Sequence, residues 1–286
     1  MNAARFIAEV SSNHNGDLDR CLRFVDAAAD MGCWGVKFQL FRVRELFAPE
    51  ILARSEMHRA REAWELPEAY LEPLSARARG RGLAFGLTPF HLAGVALAAP
   101  MVDFFKVASY ELLCVELIEA CAGTGKPLIL STGMATLPEV RAAVDAARRG
   151  GGRDLTLLHC VSSYPVAAEH CNLASIKTLR DAFDCEVGWS DHSVSAGVVR
   201  RAVNHWGASV VEFHLDLDGQ GEEFSAGHCW LPSQMAFDPS GEGDPRADGT
   251  GEKMPMPSEL ADREWRADPT DGLRPMLSVR AEWETR

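Results

Sequence analysis

Short apolar runs alternate with segments of helical periodicity along most of the chain. "RFIAEV" (5–10) is a compact apolar run, and after it Leu18, Cys21, Leu22, Val25 and Ala29 recur at helical spacing, from a start at Asp17 to a stop at Gly32. This pair predicts a strand followed by an amphipathic helix. The same pairing returns as strand 35–40 with a helix near 67–80, strand 83–87 with a short helix after Phe90, and strand 104–108 with a helix over 112–122. It continues as strand 127–131 with a helix from 137 to about 149, strand 155–160 with a helix over 173–183, and strand 186–190 with a helix over about 195–206. A last strand covers 209–214. Thr136 and Glu139 have the TxxE spacing of a capping box at one of these helix starts.

Eight strand-and-helix repeats in about 215 residues predict an α/β protein, a (β/α)8 TIM barrel, because each strand is a near-continuous apolar run that must be covered on both faces. An open doubly wound sheet is the alternative, disfavoured because no GxGxxG turn follows the first strand. The barrel is expected to occupy residues 1–236. Beyond it, 237–286 is rich in Gly, Pro and charge and lacks periodicity, which reads as a mobile linker and tail rather than a separate domain. Trp265, Leu273, Met276, Leu277 and Trp283 are too few for a core of their own and are expected to pack on the barrel or on a second subunit.

Composition narrows the function classes. A net charge of −12 lacks the basic footprint that a nucleic acid or an anionic membrane would require. No apolar run is long enough to span a bilayer, and the first residues lack the order of a signal peptide, so a soluble cytoplasmic protein is expected. The eight cysteines are scattered without a CxxC pair and read as reduced thiols. An anionic small-molecule substrate stays open, since it needs only local lysines.

In such a barrel the chemistry sits at the C-terminal ends of the strands. The residues placed there are Glu9, Lys37 with Gln39, Thr88, Lys106 with Ser109, Ser131, His159, Ser190 with Asp191 and His192, and Glu212 with His214. Positions two apart on a strand share a face, so Lys37 and Gln39, and likewise Glu212 and His214, can point inward together. Two lysines and several hydroxyls suit a phosphate or carboxylate, and two histidines with carboxylates suit a divalent metal with open positions. Taken singly these residues have structural readings: a strand lysine as an ion-paired core residue, His159 as a hydrogen-bonded one. Their coincidence at one mouth is what points to an anion beside a metal.

"IAEVSSNHNGDLDRCLRFVDAAADMGCWGVKFQLF" resembles the opening of the sialic acid synthase (N-acetylneuraminate synthase) family, and "TPF", "FKVASYELL", "KPLILSTGMATLPEV", "LLHCVSSYPV", "GWSDHS" and "VVEFHL" follow in that family's order. The resemblance implies condensation of phosphoenolpyruvate with an aldehyde sugar by a cytoplasmic homodimer. It implies a divalent metal on His192 and His214, manganese by preference with magnesium or cobalt as alternatives. Lys37, Gln39, Thr88, Lys106, Ser109, Ser131 and Ser190 would surround phosphoenolpyruvate, while Glu9, Tyr164 and Glu212 would line the reaction centre and the acceptor. Ser162 stands where the family has a phosphoenolpyruvate-contacting asparagine. The chain resembles a short variant lacking the family's C-terminal antifreeze-like domain, which puts the acceptor half in doubt. Glu222, Glu223 and His228 are candidates to replace its contacts; for "GHCW" the alternatives are a packed loop or His228 as an added metal ligand or acceptor contact. Two other functions are weighed: a metal-dependent aldolase or lyase acting on a 2-keto acid, and a non-catalytic ligand-binding paralogue.

Overall fold

A computed structural model describes residues 4–235 and 240–283, and the strands close into a parallel barrel in sequence order. The strands are β1 (Arg5–Glu9), β2 (Gly35–Leu40), β3 (Ala84–Pro89), β4 (Phe104–Val107), β5 (Leu128–Ser131), β6 (Leu155–Cys160), β7 (Glu186–Asp191) and β8 (Val210–His214). The expected (β/α)8 architecture is the observed one. Its first helix, Leu18–Asp30, starts where the Asp17 side chain accepts from the Arg20 N–H at 3.0 Å, and it buries Cys21, Phe24, Val25 and Ala28 against the sheet. At the helix Leu137–Arg149, Glu139 Oε2 accepts from the Thr136 N–H at 2.7 Å, the reciprocal half of a capping box.

Inside the barrel the strand period sets the floor of the site. Ile7, Phe104, Ile129, Leu158 and Val210 form a buried apolar cluster across the interior. Two positions further along the same strands stand Glu9, Lys106, Ser131, Cys160 and Glu212, so the same face changes from apolar plug to polar layer. Gly86 makes room for the plug: a Cβ there would lie 2.1 Å from the Phe104 ring.

Some elements differ from the expectation. Between β2 and the helix Leu71–Gly80 lie three short helices, Val43–Leu46, Pro49–Arg54 and Glu56–Ala60, and two 3-10 turns, Arg61–Trp64 and Glu68–Tyr70. Elements of three to six residues complete too few turns to display a period. The helix expected from residue 112 starts at Val115, after a 3-10 turn at Ser109–Glu111. The one expected over 195–206 is α-helical at Ala196–Arg200 and then widens into a π-helical turn, Arg201–His205.

The expected boundary at 236/237 lies outside the described residues. Residues 240–283 lie down along the barrel, fastened by side chains rather than by a periodic face. Arg201 donates to Asp248 at 2.7 and 2.8 Å, and Asn172 exchanges hydrogen bonds of 2.9 Å with Gly251 and Glu252. Glu259 Oε1 accepts from the backbone N–H groups of Met134 and Ser162, each at 2.7 Å. The segment then returns to the barrel mouth, where Arg274 pairs backbone to backbone with Leu46 and Ala48. Trp265 stacks on His58, and Trp283 meets both rings edge-on. All eight cysteines are free thiols. Among the described residues no helix is long and apolar enough to cross a membrane.

Candidate active site

A cleft of about 530 Å³ opens at the C-terminal ends of the strands. At its inner end Glu9, Lys37, Lys106 and Glu212 are all buried. Lys37 is ion-paired with Glu9, its register neighbour across β1 and β2, and its Nζ lies 3.8 Å from Glu212 and donates to Thr88 Oγ1 at 2.8 Å. Lys106 Nζ donates to Glu212 Oε1 at 2.8 Å. Two cations thus face two carboxylates, the balance needed for charges held out of water. Burial alone would push the Glu212 carboxyl up, but Lys106 and then Lys37 outweigh it and hold it down. Burial likewise pulls the Lys106 ammonium down, and Glu212 reverses this, raising it above the usual lysine range. Lys106 therefore stands charged beside Glu212.

The hydroxyls divide into two groups. Ser109 and Ser190 line the cleft; Ser109 Oγ accepts from the Gly133 N–H at 3.0 Å and Ser190 Oγ donates to Glu212 at 3.5 Å. Thr88, Ser131 and Ser162 stand behind the lining. Thr88 supports Lys37, Ser131 Oγ is buried without a partner among the described residues, and the Ser162 N–H is bonded to Glu259. Gln39 lines the cleft and donates to Ser11 Oγ at 3.0 Å.

Beside the lysines is a group of imidazoles. The rings of His192 and His214 lie 5.4 Å apart between centroids, and those of His214 and His228 4.7 Å apart. Tyr164, 36% exposed, lays its ring 4.2 Å from that of His192 and 4.9 Å from that of His228. His192 Nδ1 contacts the Val161 carbonyl at 2.8 Å, which fixes Nδ1 as the protonated nitrogen and leaves Nε2 with a lone pair. Glu223 joins the other two histidines, its Oε2 3.0 Å from His214 Nδ1 and 3.5 Å from His228 Nε2. Burial lowers the pKa of both His192 and His214, favouring the neutral ring that a metal requires. Glu223 is pushed up by burial, but its bonds to His214 and His228 outweigh this and hold it well below the usual carboxylate range.

Ligand atoms of His214, Glu223, His228 and Cys229 all lie within 4.8 Å of one another. Burial pushes the Cys229 thiol up to about 12, so it stands as a neutral thiol rather than a thiolate. The two expected metal ligands are neighbours, but His192 is outside this mutual group and Glu223 is inside it. The His214 imidazole held towards its neutral form, the ionised Glu223 carboxylate and a buried His228 Nδ1 without a partner among the described residues form a donor set that fits a divalent metal. Asp191 holds the loop carrying these groups: it accepts the indole N–H groups of Trp189 at 3.0 Å and Trp230 at 2.9 Å. Cys229 and Trp230 are packed, while His228 between them and the cleft lines it.

Sequence reasoning missed Ser11, whose Oγ donates to Glu223 Oε1 at 2.5 Å and ties the loop after β1 to the imidazole group. It also missed the outer end of the cleft, which includes Phe47, Arg61, Trp64, Tyr110, Trp265 and Arg274. The arginines come from the short helices after β2 and from the C-terminal segment, neither of which carries a strand-end signal.

Residues 24–236 match the model of the NeuB family. Over 269 residues the chain is 38% identical to an uncharacterized protein of Methanocaldococcus jannaschii, covering 88% of this chain and 74% of that one. It is 37% identical to the N,N'-diacetyllegionaminic acid synthase of Legionella pneumophila, covering 74% of this chain and 64% of the relative's length. Among solved structures it is similar to the N-acetylneuraminic acid synthetase of Leptospira borgpetersenii, crystallised with citrate, at a TM-score of 0.73 and 30% identity, with 82% of this chain and 80% of that one covered.

Proposed function

The chain belongs to the NeuB family, and on that premise we propose that it condenses phosphoenolpyruvate with an aldehyde to give a 2-keto acid of the nonulosonic type and inorganic phosphate. The observation that carries this reading is the pair of charged, buried lysines set beside the imidazole and carboxylate group in one cleft. Relatives of the chain that include legionaminic and pseudaminic acid synthases support it.

In this reading Lys37 and Lys106 release Glu9 and Glu212 in part and take the phosphate and carboxylate of phosphoenolpyruvate, with Ser109 and Ser190 hydrogen-bonded to the same anion. Gln39 and Thr88 keep Lys37 aimed, and Ser131 and Ser162 support the wall behind. The aldehyde lies against Tyr164 and Glu212 towards His228, which brings its carbonyl carbon to the methylene carbon of the enol phosphate. The methylene carbon bonds to the aldehyde carbon, a water oxygen adds to the phosphate-bearing carbon, and phosphate then departs from that tetrahedral carbon. Glu9 takes the proton of the attacking water, a proton reaches the aldehyde oxygen as it becomes the product hydroxyl, and phosphate leaves with the proton of the hydroxyl on the tetrahedral carbon while the lysines stabilise its charge. His214, Glu223 and His228, with His192 beside them, would hold a divalent metal, manganese with magnesium or cobalt as alternatives, whose contribution when bound is Lewis-acid polarisation of the aldehyde oxygen. A cytoplasmic homodimer belongs to the same proposal, and sedimentation of the purified protein tests its dimeric part.

A phosphate-release screen over aldoses, N-acyl hexosamines and smaller aldehydes, with phosphoenolpyruvate and manganese, tests the reading. Release that depends on the aldehyde supports it. Pyruvate formed from a 2-keto acid without phosphate would select an aldolase instead, and silence across the panel would count for a non-catalytic paralogue.

A further inference from the structure

At the outer end of the cleft the inner chemistry does not account for the position of Arg61, which shares that lining with Arg274 and Asp262. It lines the cleft, its guanidinium carbon lies 5.5 Å from the centroid of the Phe47 ring and 5.3 Å from that of Trp64, and its Nε is buried with no hydrogen-bond partner. Among the described residues no carboxylate forms an ion pair with it. Burial, and after it the like charge of Arg274, lowers the Arg61 pKa, against smaller opposing contributions from Tyr110 and Glu223. Arg274 differs in being satisfied, since its Nε donates to the buried Glu111 carboxylate at 2.6 Å and its guanidinium lies 4.4 Å from the Tyr110 ring centroid.

A desolvated guanidinium beside a second cation is costly unless something pairs with it. A planar fork against aromatic walls is a geometry suited to bidentate recognition of phosphate or carboxylate. The inner lysines already account for one anion, so the outer arginine calls for a second. It stands at the far end of a cleft whose inner end would hold the reacting carbons. We propose that Arg61, backed by Arg274, is an anion subsite, so that the aldehyde accepted by this protein carries a phosphate or carboxylate remote from its carbonyl. This rests on the condensation reading for the word aldehyde, while the anion subsite itself does not depend on turnover.

The test is therefore binding without chemistry. Calorimetric titration of the purified protein with sorbitol, sorbitol 6-phosphate and gluconate compares a neutral polyol with its phosphate and carboxylate counterparts, none of which has an aldehyde. At least one anion is expected to bind ten-fold or more tightly than sorbitol. Arg61→Gln removes that advantage, Arg61→Lys restores part of it, and sorbitol itself binds all three proteins alike. The phosphate and carboxylate arms identify which anion the subsite takes. Equal affinity for all three polyols, or an anion preference that survives Arg61→Gln, would overturn the proposal. Because no phosphoenolpyruvate is present, a negative result here leaves the condensation untouched, and a failed condensation screen leaves this result standing.

Discussion

The two ends of the cleft are built on opposite electrostatic terms. At the inner end each buried cation has a carboxylate partner, Lys37 with Glu9 and Lys106 with Glu212, and all four side chains project from barrel strands. At the outer end Arg274 is paired with Glu111, but Arg61 lies against aromatic rings with no ion pair among the described residues, on a short turn outside the barrel. A closed parallel barrel holds its strand ends rigidly, so the inner end keeps its charges neutralised before substrate arrives. The outer end is lined by loops and the C-terminal segment, where a site can change partner without disturbing the barrel. On the proposed reading this difference is a division of labour, in which the inner end fixes the reaction and the outer end chooses the acceptor.

Breaking the inner balance has the largest expected effect. Lys106→Met leaves the buried Glu212 only Lys37, 3.8 Å away and already paired with Glu9, and loss of one member of such a pair costs about 3–5 kcal/mol. Thermal or urea melts read the cost, and phosphate release is expected to fall to background. Next, Arg274→Met leaves Glu111 without its cation. Burial already raises the Glu111 pKa, so the carboxyl can take a proton instead of remaining charged, and the loss is expected at roughly 1–3 kcal/mol in the same melts. Glu223→Gln probes the junction between the two ends. It is expected to weaken manganese binding by roughly 10–100-fold in metal titrations while leaving the melting curve of the metal-free protein nearly in place. The smallest effect is expected for Arg61→Met, which removes a cation that has no ion pair among the described residues and only aromatic rings beside it. Its melting curve should match or slightly exceed that of the parent, within about 1 kcal/mol, whereas a large loss would show that the outer end is as tightly balanced as the inner.

The inner end was legible in the sequence because its signal is local. Glu9, Lys37, Lys106 and Glu212 each interrupt a short apolar run near its end, and a period of two makes them share the barrel's interior. Glu212 and His214 could be placed together for the same reason. What the pattern does not distinguish is a side chain on the cleft surface from one just behind it, which is why it groups Thr88 and Ser131 with the residues that line it; Ser162, offered by the family resemblance, also stands behind the lining. Glu223 was noticed as a candidate acceptor contact, but its place between His214 and His228 depends on the fold of an aperiodic loop. Arg61 and Arg274 were out of reach altogether. The turn that carries Arg61 is too short to show a helical period, and Arg274 reaches the mouth only because side chains such as Asp248 and Glu259 fasten a segment that has no repeat of its own.

The most direct measurement of the central claim follows the bridging oxygen of phosphoenolpyruvate, labelled with oxygen-18, through a turnover with manganese and an aldehyde that the screen identifies. If the lysines hold the enol phosphate while carbon attacks the aldehyde and water adds behind it, the label leaves with inorganic phosphate and the keto oxygen of the product comes from solvent. Label retained in the keto acid, or phosphate released equally well without any aldehyde, would contradict the account.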